Sequence, residues 1–489
     1  MKSSIDIFHP ALGRLLGAVL TVWIAMVIIA GCRPSYLKIT SPCPPRPYFD
    51  PKSYGAKADS VTFDTEALQK AIDSCAGTGG SVVLSNGTFL TKPLELRGNM
   101  TLHVEKGAVL LGSSDIADYP VKLPDKPTAK DLCRSLLYAC HADGLTIDGE
   151  GVIDGRCKEM DMPPELRKWG TEAKRPSLLR VFRSKNVIVR NITLRNPCMW
   201  TQIYSECDNL LVDNVTVDAP PDCTNLDGID ICDSKDVIIR NCNIRSEDDS
   251  ICLKSLSSRG LQNILIENNR IHCYRANAIK LGTATVGPVT NVVIRNNRVD
   301  YAKLGGLTIA SVDGSVVRDV LVQDLELHEV GQPICIRLGH RSTGRPVGSI
   351  DGVRIERVRA YKTHGKNYKT GIIGESSITG IPSTRIRNVV VKDCYFEAPG
   401  GLKNVPALPV EKPALYPQSD MLGNTSGYAF FVRHADGVVL ENVTVSKLAP
   451  DVRPWFSSVN AKAEQINCRD AGLVTSGNGT AADSAKRDL

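Results

Sequence analysis

Short runs of alternating apolar and polar residues recur through the middle of the chain. NVIVRNITL starts at Asn186, NLLVDNVTV at Asn209, DVIIRNCNI at Asp236, NILIENNRI at Asn263, NVVIRNNRV at Asn291 and DVLVQDLEL at Asp319. These starts lie 23, 27, 27, 28 and 28 residues apart. The run returns as GVRIERVRA from Gly352, NVVVKDCYF from Asn388 and GVVLENVTV from Gly437. Alternation with a period of two marks strands rather than helices. One such unit cannot bury its apolar side alone, so neighbouring units must stack. The spacing leaves no room for a helical crossover, so consecutive units are expected to pair in parallel, about 4.8 Å apart. The expected fold is all-β, a solenoid of short strands. Asn191, Asn214, Asn241, Asn268 and Asn296 fall at the corners of this repeat. Asn enters the left-handed region readily, and stacked Asn side chains can bond along the axis. Their expected role is structural.

The flanks break the pattern. Thr65 to Cys75 (TEALQKAIDSC) has helical apolar spacing, with Asp64 or Thr65 as the expected cap. This helix is expected to plug the N-terminal end of the solenoid, which otherwise exposes an apolar edge. Leu338–Ile350 and Gly400–Gly427 are expected to be long loops over one face. At the start, Lys2 and Arg14 precede an apolar run from Leu15 to Gly31, which ends Ile29-Ala30-Gly31-Cys32. That ending resembles a bacterial lipobox, with Cys32 as the lipidated residue, and marks residues 1–32 as a targeting segment. An uncleaved membrane anchor and ordinary secretion are the other readings of the same run. All three export the protein, and the lipobox reading holds it at a bacterial membrane. Residues 33–47 read as a Pro-rich tether, residues 48–472 as the β-helix domain and residues 473–489 as a disordered tail.

Composition narrows the chemistry only a little. The 489 residues carry a net charge of +6, with basic residues scattered rather than clustered. No nucleic-acid partner is expected, and a monomer is expected. The 16 cysteines form no CxxC pair, so no zinc site is expected. Cys232, Cys252 and Cys335 sit inside apolar strand-like runs and read as small buried hydrophobes. Cys43, Cys75, Cys133, Cys140 and Cys157 are the better disulfide candidates, without an assignable pairing.

Acidic residues concentrate at the centre. Asn225-Leu226-Asp227-Gly228-Ile229-Asp230 is followed by Ser246-Glu247-Asp248-Asp249-Ser250, and Asp227 and Asp248 are 21 residues apart. That is close to one coil, so the spacing predicts Asp227 one rung from the Asp248/Asp249 pair. Carboxylates this close cannot all ionise freely, so one pKa must rise. A raised carboxyl serves as a general acid and an ionised neighbour can activate water. Taken alone, such a run of Asp also fits a calcium site or a solvated turn.

The order of motifs resembles glycoside hydrolase family 28, the polygalacturonase-like enzymes, over nearly the whole mature chain. Tyr54-Gly55-Ala56, Asp64-Thr65, Gly79-Gly80 and GTFLTKPLELRGNMTLHVEKGAVLLGS resemble the family's opening. IDGEGVIDG, RPSLL and NPCMW follow, and NLDGIDI and EDDSICLKS are similar to the family's NTDGID and GDDCIAIKS. Leu226 stands where the family has Thr, and Glu247 where it has Gly. YPQSDMLG, YAFFVRHADGV and Asp451-Val452-Arg453-Pro454 resemble a bacterial branch of the family. The resemblance implies a single-stranded right-handed parallel β-helix and an inverting glycosidase without a cofactor or metal. It implies Asp248 as general acid, Asp227 and Asp249 as the residues that hold and activate water, and Asn225 as their orienting partner. Lys254 supports the site or only its coil.

The resemblance fails at two places. Ala276-Asn277-Ala278 stands where the family has Gly-His-Gly, and Thr308-Ile309-Ala310 where it has Arg-Ile-Lys. An Arg fork on a carboxylate is a strong, directional contact. Its loss argues against plain polygalacturonate and for another pectin-like or related polysaccharide. Asn277, Lys280, Lys254 and Arg337 are the candidate substrate ligands, with His340, Arg341, Arg433 and His434 as further cations. Trp200 is a candidate sugar platform or a packing residue. Two other functions remain open at this level: a lyase using Lys254 or Lys280 as base, and a non-catalytic glycan-binding surface protein.

Overall fold

The computed structural model describes residues 44–121, 134–167, 175–364, 366–367, 371–372, 375–418 and 421–474. The targeting segment, most of the tether and the tail beyond Val474 therefore lie outside the described residues. The chain from Pro42 onward is one compact unit, a right-handed parallel β-helix. Three strands make each coil, and their equivalents stack into three parallel ladders. The first ladder includes Ser177–Phe182, Gln202–Ser205, Ile229–Cys232, Ile251–Ser255 and Asn277–Thr285. The second includes Lys185–Arg190, Asp208–Asp213, Lys235–Arg240 and Leu261–Glu267. The third includes Thr193–Arg195, Thr216–Asp218, Asn243–Ser246 and Arg270–Cys273. Val289–Ser311 runs through all three.

The predicted alternation is the second ladder. Val187, Leu210, Val237, Ile264, Val292, Val320, Val353, Val389 and Val438 stand in one register column. All are at most 2% exposed. Each buried aliphatic contributes about 1.5–3 kcal/mol, and stacking supplies the burial that no single coil provides.

The corner asparagines behave as the repeat predicts. Asn191, Asn214, Asn241, Asn268 and Asn296 all have φ between 52° and 57°. Asn214 Nδ2 donates to Asn191 Oδ1 at 2.9 Å and Asn296 Nδ2 to Asn268 Oδ1 at 2.5 Å. Asn241 departs, donating instead to Asp213 Oδ1 at 2.7 Å. A second stack, not anticipated, opens the strand of the second ladder: Asn209 donates to Asn186 at 2.7 Å and Asn291 to Asn263 at 2.8 Å.

The helix α1 spans Thr65–Cys75 and buries Ala67, Leu68, Ala71, Ile72 and Cys75 against the first coil. Asp64 stands at its N-cap position but makes no side-chain cap bond. Its carboxylate instead accepts from the Lys57 and Ala58 amides at 2.6 and 2.9 Å, tying the preceding turn to the helix start. Among the described residues no helix is long and apolar enough to cross a membrane.

The two long loops lie over the first ladder. Arg337 Nη2 donates to Lys412 O at 3.0 Å, the His340 amide to Pro413 O at 2.7 Å and Arg433 Nη1 to Pro409 O at 2.6 Å. Residues 401–418 thus form a strap across the outward face of the later coils.

Candidate active site

The outward face of the first ladder carries the polar cluster. Ile229, Ile231, Ile251, Leu253, Ile279 and Leu281 alternate inward to the core. Asp230, Cys252 and Lys280 therefore share one outward register column, and Cys232 and Lys254 another. Cys232, Cys252 and Cys335 are small buried residues, as expected. All three belong to the outer face, beneath other side chains, and Cys252 Sγ lies 3.9 Å from Asp249 Oδ2.

Asp227, Asp248 and Asp249 arrive at the turn that leads from the third ladder into the first. The Gly228 amide donates to Asp249 O at 3.0 Å, and the Ser250 amide to Asn277 O at 2.9 Å. Asp227, Asp249 and Asn277 thus begin three successive rungs, as the 21-residue spacing predicts. A Cβ at Gly228 would meet Ser250 O at 2.4 Å, so only glycine lets these rungs close up. The two departures from the family pattern are accommodated here. Leu226 is fully buried, and its carbonyl accepts from the Glu247 and Asp248 amides at 3.2 and 3.3 Å. Glu247 is buried and ion-paired with Arg275.

The two adjacent carboxyls at this turn are pushed in opposite directions. Asp249 Oδ2 accepts from Lys280 Nζ at 2.7 Å, and its Oδ1 accepts from Asn277 Nδ2 at 2.7 Å. Burial alone would raise its pKa, but the Lys280 ammonium and the Asn277 amide outweigh it and hold the group below its ordinary value. Asp248 keeps part of its side chain at the surface, yet its carboxyl is closely enclosed by protein. That enclosure, with the Asp249 charge beside it, pushes Asp248 up to about 7. Near neutral pH the pair supplies one proton donor and one carboxylate.

The rung before holds a second arrangement. Lys254 Nζ lies 3.2 Å from Asp227 Oδ2, is ion-paired with Asp230 and sits 3.9 Å above the Trp200 ring. One ammonium faces two buried carboxyls. Burial raises both, Asp230 to about 6 and Asp227 well above its ordinary value. Asp230 was not singled out from the sequence; its place three residues after Asp227, on the same outward side, was the available signal. Trp200 serves as the lid on Lys254. Asp227, Asp230 and Cys252 hold ligand atoms within 4.8 Å of one another, a grouping able to bind a cation. Lys254 already places a positive charge between the two carboxyls.

Other candidates lie elsewhere. Asn225 stands in a left-handed turn at φ 59°, and its amide donates to Met199 Sδ at 3.3 Å rather than orienting the carboxyls. Arg337 is a correction: register puts it one rung past Ala310, and its guanidinium bonds Thr379 Oγ1, Gly380 O and Lys412 O. It anchors the strap. Arg341 forks onto Asp313 at 2.9 and 2.6 Å, while Arg433 and His434 pair with Glu411. His340 Nε2 donates within its own loop, to Arg345 O at 2.9 Å. Tyr416 was missed: the strap brings its hydroxyl to 3.1 Å from Lys280 Nζ, and no sequence pattern links positions 136 residues apart.

Residues 117–393 match glycosyl hydrolases family 28. The chain belongs to that family. Residues 48–116 match the rhamnogalacturonase A/epimerase, pectate lyase-like group. The chain is 28% identical over 298 residues to an endo-polygalacturonase of Pectobacterium carotovorum subsp. carotovorum, covering 57% of this chain and 73% of that protein. It is 26% identical over 304 residues to an exo-poly-alpha-D-galacturonosidase of Dickeya chrysanthemi, covering 52% and 50%. The family 28 exopolygalacturonase of Yersinia enterocolitica shares the fold at a TM-score of 0.67, with 21% identity over 88% of this chain and 80% of that one. As a family 28 member the protein is a glycosidase, and the carboxyls at the head of the first ladder are where such chemistry can be carried out.

Proposed function

We propose that the protein hydrolyses, with inversion, a glycosidic bond of a pectin-like polysaccharide at a neutral sugar, from the end of the chain. We place it outside the cytoplasm, held to a bacterial membrane through an acyl group on Cys32. The observation that carries the chemistry is the placement of Asp248 beside Asp249, whose carboxylate is held by Lys280 and Asn277 at 2.7 Å each, one rung from Asp227. Asp248 gives its proton to the leaving glycosidic oxygen. Asp249 takes a proton from a water that attacks the anomeric carbon on the opposite face, the division of labour of an inverting pair. Asp227, one rung away, hydrogen-bonds the same water. Lys280 keeps Asp249 ionised and Lys254 compensates the neighbouring pair of acids, so no cofactor enters the reaction.

The sugar preference follows from the cations. Thr308 and Ala310 are uncharged, and Thr308 Oγ1 donates to Asn277 Oδ1 at 3.0 Å. Lys254 and Lys280 are engaged by the site's own carboxyls, Arg341 and Arg433 by Asp313 and Glu411, and Arg337 by strap and coil carbonyls. A galacturonate carboxylate at the cleavage point would have to break one of the Lys or Arg ion pairs or draw Arg337 from the carbonyls and Thr379 that hold it. The strap lies over the coils after Thr308, which favours attack at a chain end. The same pairing argues against a lyase, since ammonium groups whose pKa is raised well above its ordinary value by buried carboxylates make poor bases.

The test is reducing-end release from pectic and algal polysaccharides that differ in the sugar at the cleaved linkage, with wild type and Asp248→Asn. Turnover of a neutral-sugar linkage, lost in the variant, supports the reading, and proton NMR of the first product anomer tests inversion. Turnover on polygalacturonate alone overturns the neutral-sugar preference. Binding without turnover in both proteins would mark a surface glycan-binding protein.

A further inference from the structure

A sulfur contact lies just outside the catalytic rungs. Cys157 is 1% exposed, and its Sγ lies 2.8 Å from Sγ of the half-buried Cys223, 66 residues away in sequence. A disulfide bond is about 2.05 Å long, so closing this pair requires a shift of less than about 1 Å. A third thiol, Cys198, also interacts with Cys157, and its Sγ donates to Gly155 O at 3.4 Å.

Both sides of the contact are already in register with one another. Lys158 Nζ lies 3.3 Å from Asp222 Oδ1, and Arg175 Nη1 donates to Thr224 O at 2.8 Å. Asp222, Cys223 and Thr224 thus meet Lys158, Cys157 and Arg175 side by side. The turn they form ends in Asn225, at φ 59°, and Asp227. Ahead of it Pro220 and Pro221 supply no amide to a ladder. Residues 222–224 are therefore held through side chains, while Leu226, Asp227 and Gly228, which follow, carry backbone bonds to the neighbouring rungs.

We propose that Cys157 and Cys223 are joined by a disulfide in the working enzyme, and that this bond holds the turn presenting Asp227. The Cys223 thiolate, the more accessible of the two, attacks the disulfide of a small or protein oxidant and releases one of its thiols. The Cys157 thiolate then displaces the other. Two protons and two electrons leave the pair, and the oxidant's disulfide becomes two thiols. Cys198 remains a thiol. The positioning part rests on the reading of Asp227 as a hydrolytic residue; the cross-link itself does not.

The experiment uses the full chain, purified reduced and then treated with oxidised glutathione. Alkylation and proteolytic mapping without reduction should return the Cys157 and Cys223 peptides joined and two hydrogens lighter. Recovery of both as alkylated thiols, or of Cys157 joined to Cys198, overturns the proposal. Protease cutting within 219–228 should slow several-fold in the oxidised protein and not in oxidised Cys223→Ser. Equal cutting in both overturns the restraint, and this readout needs no substrate, so it stands apart from the choice of polysaccharide. On a substrate that is turned over, dithiothreitol should lower kcat several-fold for wild type and for Cys198→Ser, and leave Cys223→Ser unmoved. Equal kcat in the oxidised and reduced wild type overturns the positioning role.

Discussion

The first and second ladders are built from the same kind of inward column and differ only on the outside. In both, Ile, Leu and Val stack at near-zero exposure. At the strand starts of the second ladder, Lys185, Gln262 and Arg318 face solvent, and its outward column of Leu211, Ile238, Leu265, Val293 and Leu321 is apolar and at most 9% exposed. Outside the first, Asp227, Asp230, Asp249, Lys254 and Lys280 are each at most 8% exposed. Charges in water are screened and nearly independent, whereas enclosed charges must be matched one against another. The comparison shows how a repetitive scaffold acquires chemistry: one face keeps its strands, gains acids at the strand starts, and is roofed by insertions between coils.

The largest effect should come from the acids themselves. Asp249→Asn should lower kcat about 10²–10⁴-fold, the range for removing a general base, with circular dichroism unchanged. In wild type, activity needs Asp248 protonated and Asp249 ionised. The rate should therefore fall as pH rises through about 7, and persist on the acid side to below the ordinary carboxylate range. A rate that keeps rising above pH 8 would break the assignment of Asp248.

Next in size is the matching of charges. Lys280→Met leaves Asp249 buried beside no ammonium and should destabilise the fold by about 3–5 kcal/mol, read by urea unfolding. In the same variant the acid limb of the pH–rate profile should move upward, because the Lys280 ammonium that held Asp249 low is gone. Within the shared scaffold, Ile264→Ala in the second ladder should cost about 2–5 kcal/mol while leaving KM unchanged. If it altered KM, the two ladders would not be energetically separable.

Smaller effects test the difference between the outsides. Asp248 has a folded pKa above its unfolded value, so the stability tied to its protonated form is full below the unfolded carboxylate range and is lost as pH rises through about 7. Asp248→Asn should therefore gain stability relative to wild type between pH 5 and pH 8, on the order of 1–2 kcal/mol. A thermal-melt series at the two pH values checks the sign. Arg318, at a solvated strand start of the second ladder, should tolerate Ala within about 0.5 kcal/mol; a loss several times larger would mean that position is not simply solvated.

Much of this was legible in order along the chain. The repeat of alternating runs specified stacked parallel strands because each unit exposes an apolar side that only a neighbour can cover. The corner asparagines declared themselves because few other side chains enter the left-handed region. α1 was readable from its spacing, although Asp64 bonds the turn before it. The acids were placed by arithmetic, since one coil separates Asp227 from Asp248. Cys252 and Cys232 are buried, as read, but they sit in strands buried on both sides, where apolar character does not tell inside from outside. Arg337 and Tyr416 depend on where an insertion lands, and insertions obey no period.

By itself, then, the sequence determined the strand repeat, the rung on which each acid sits and the absence of the Arg-Ile-Lys cations, because these are local or periodic properties. Only the tertiary structure decided which acid is protonated, that Lys254 and Lys280 are held by carboxyls, that the 401–418 strap roofs the later coils, and that Cys223 meets Cys157. Each of those depends on the enclosure of charges and on contacts between segments far apart in the chain, and a linear pattern encodes neither.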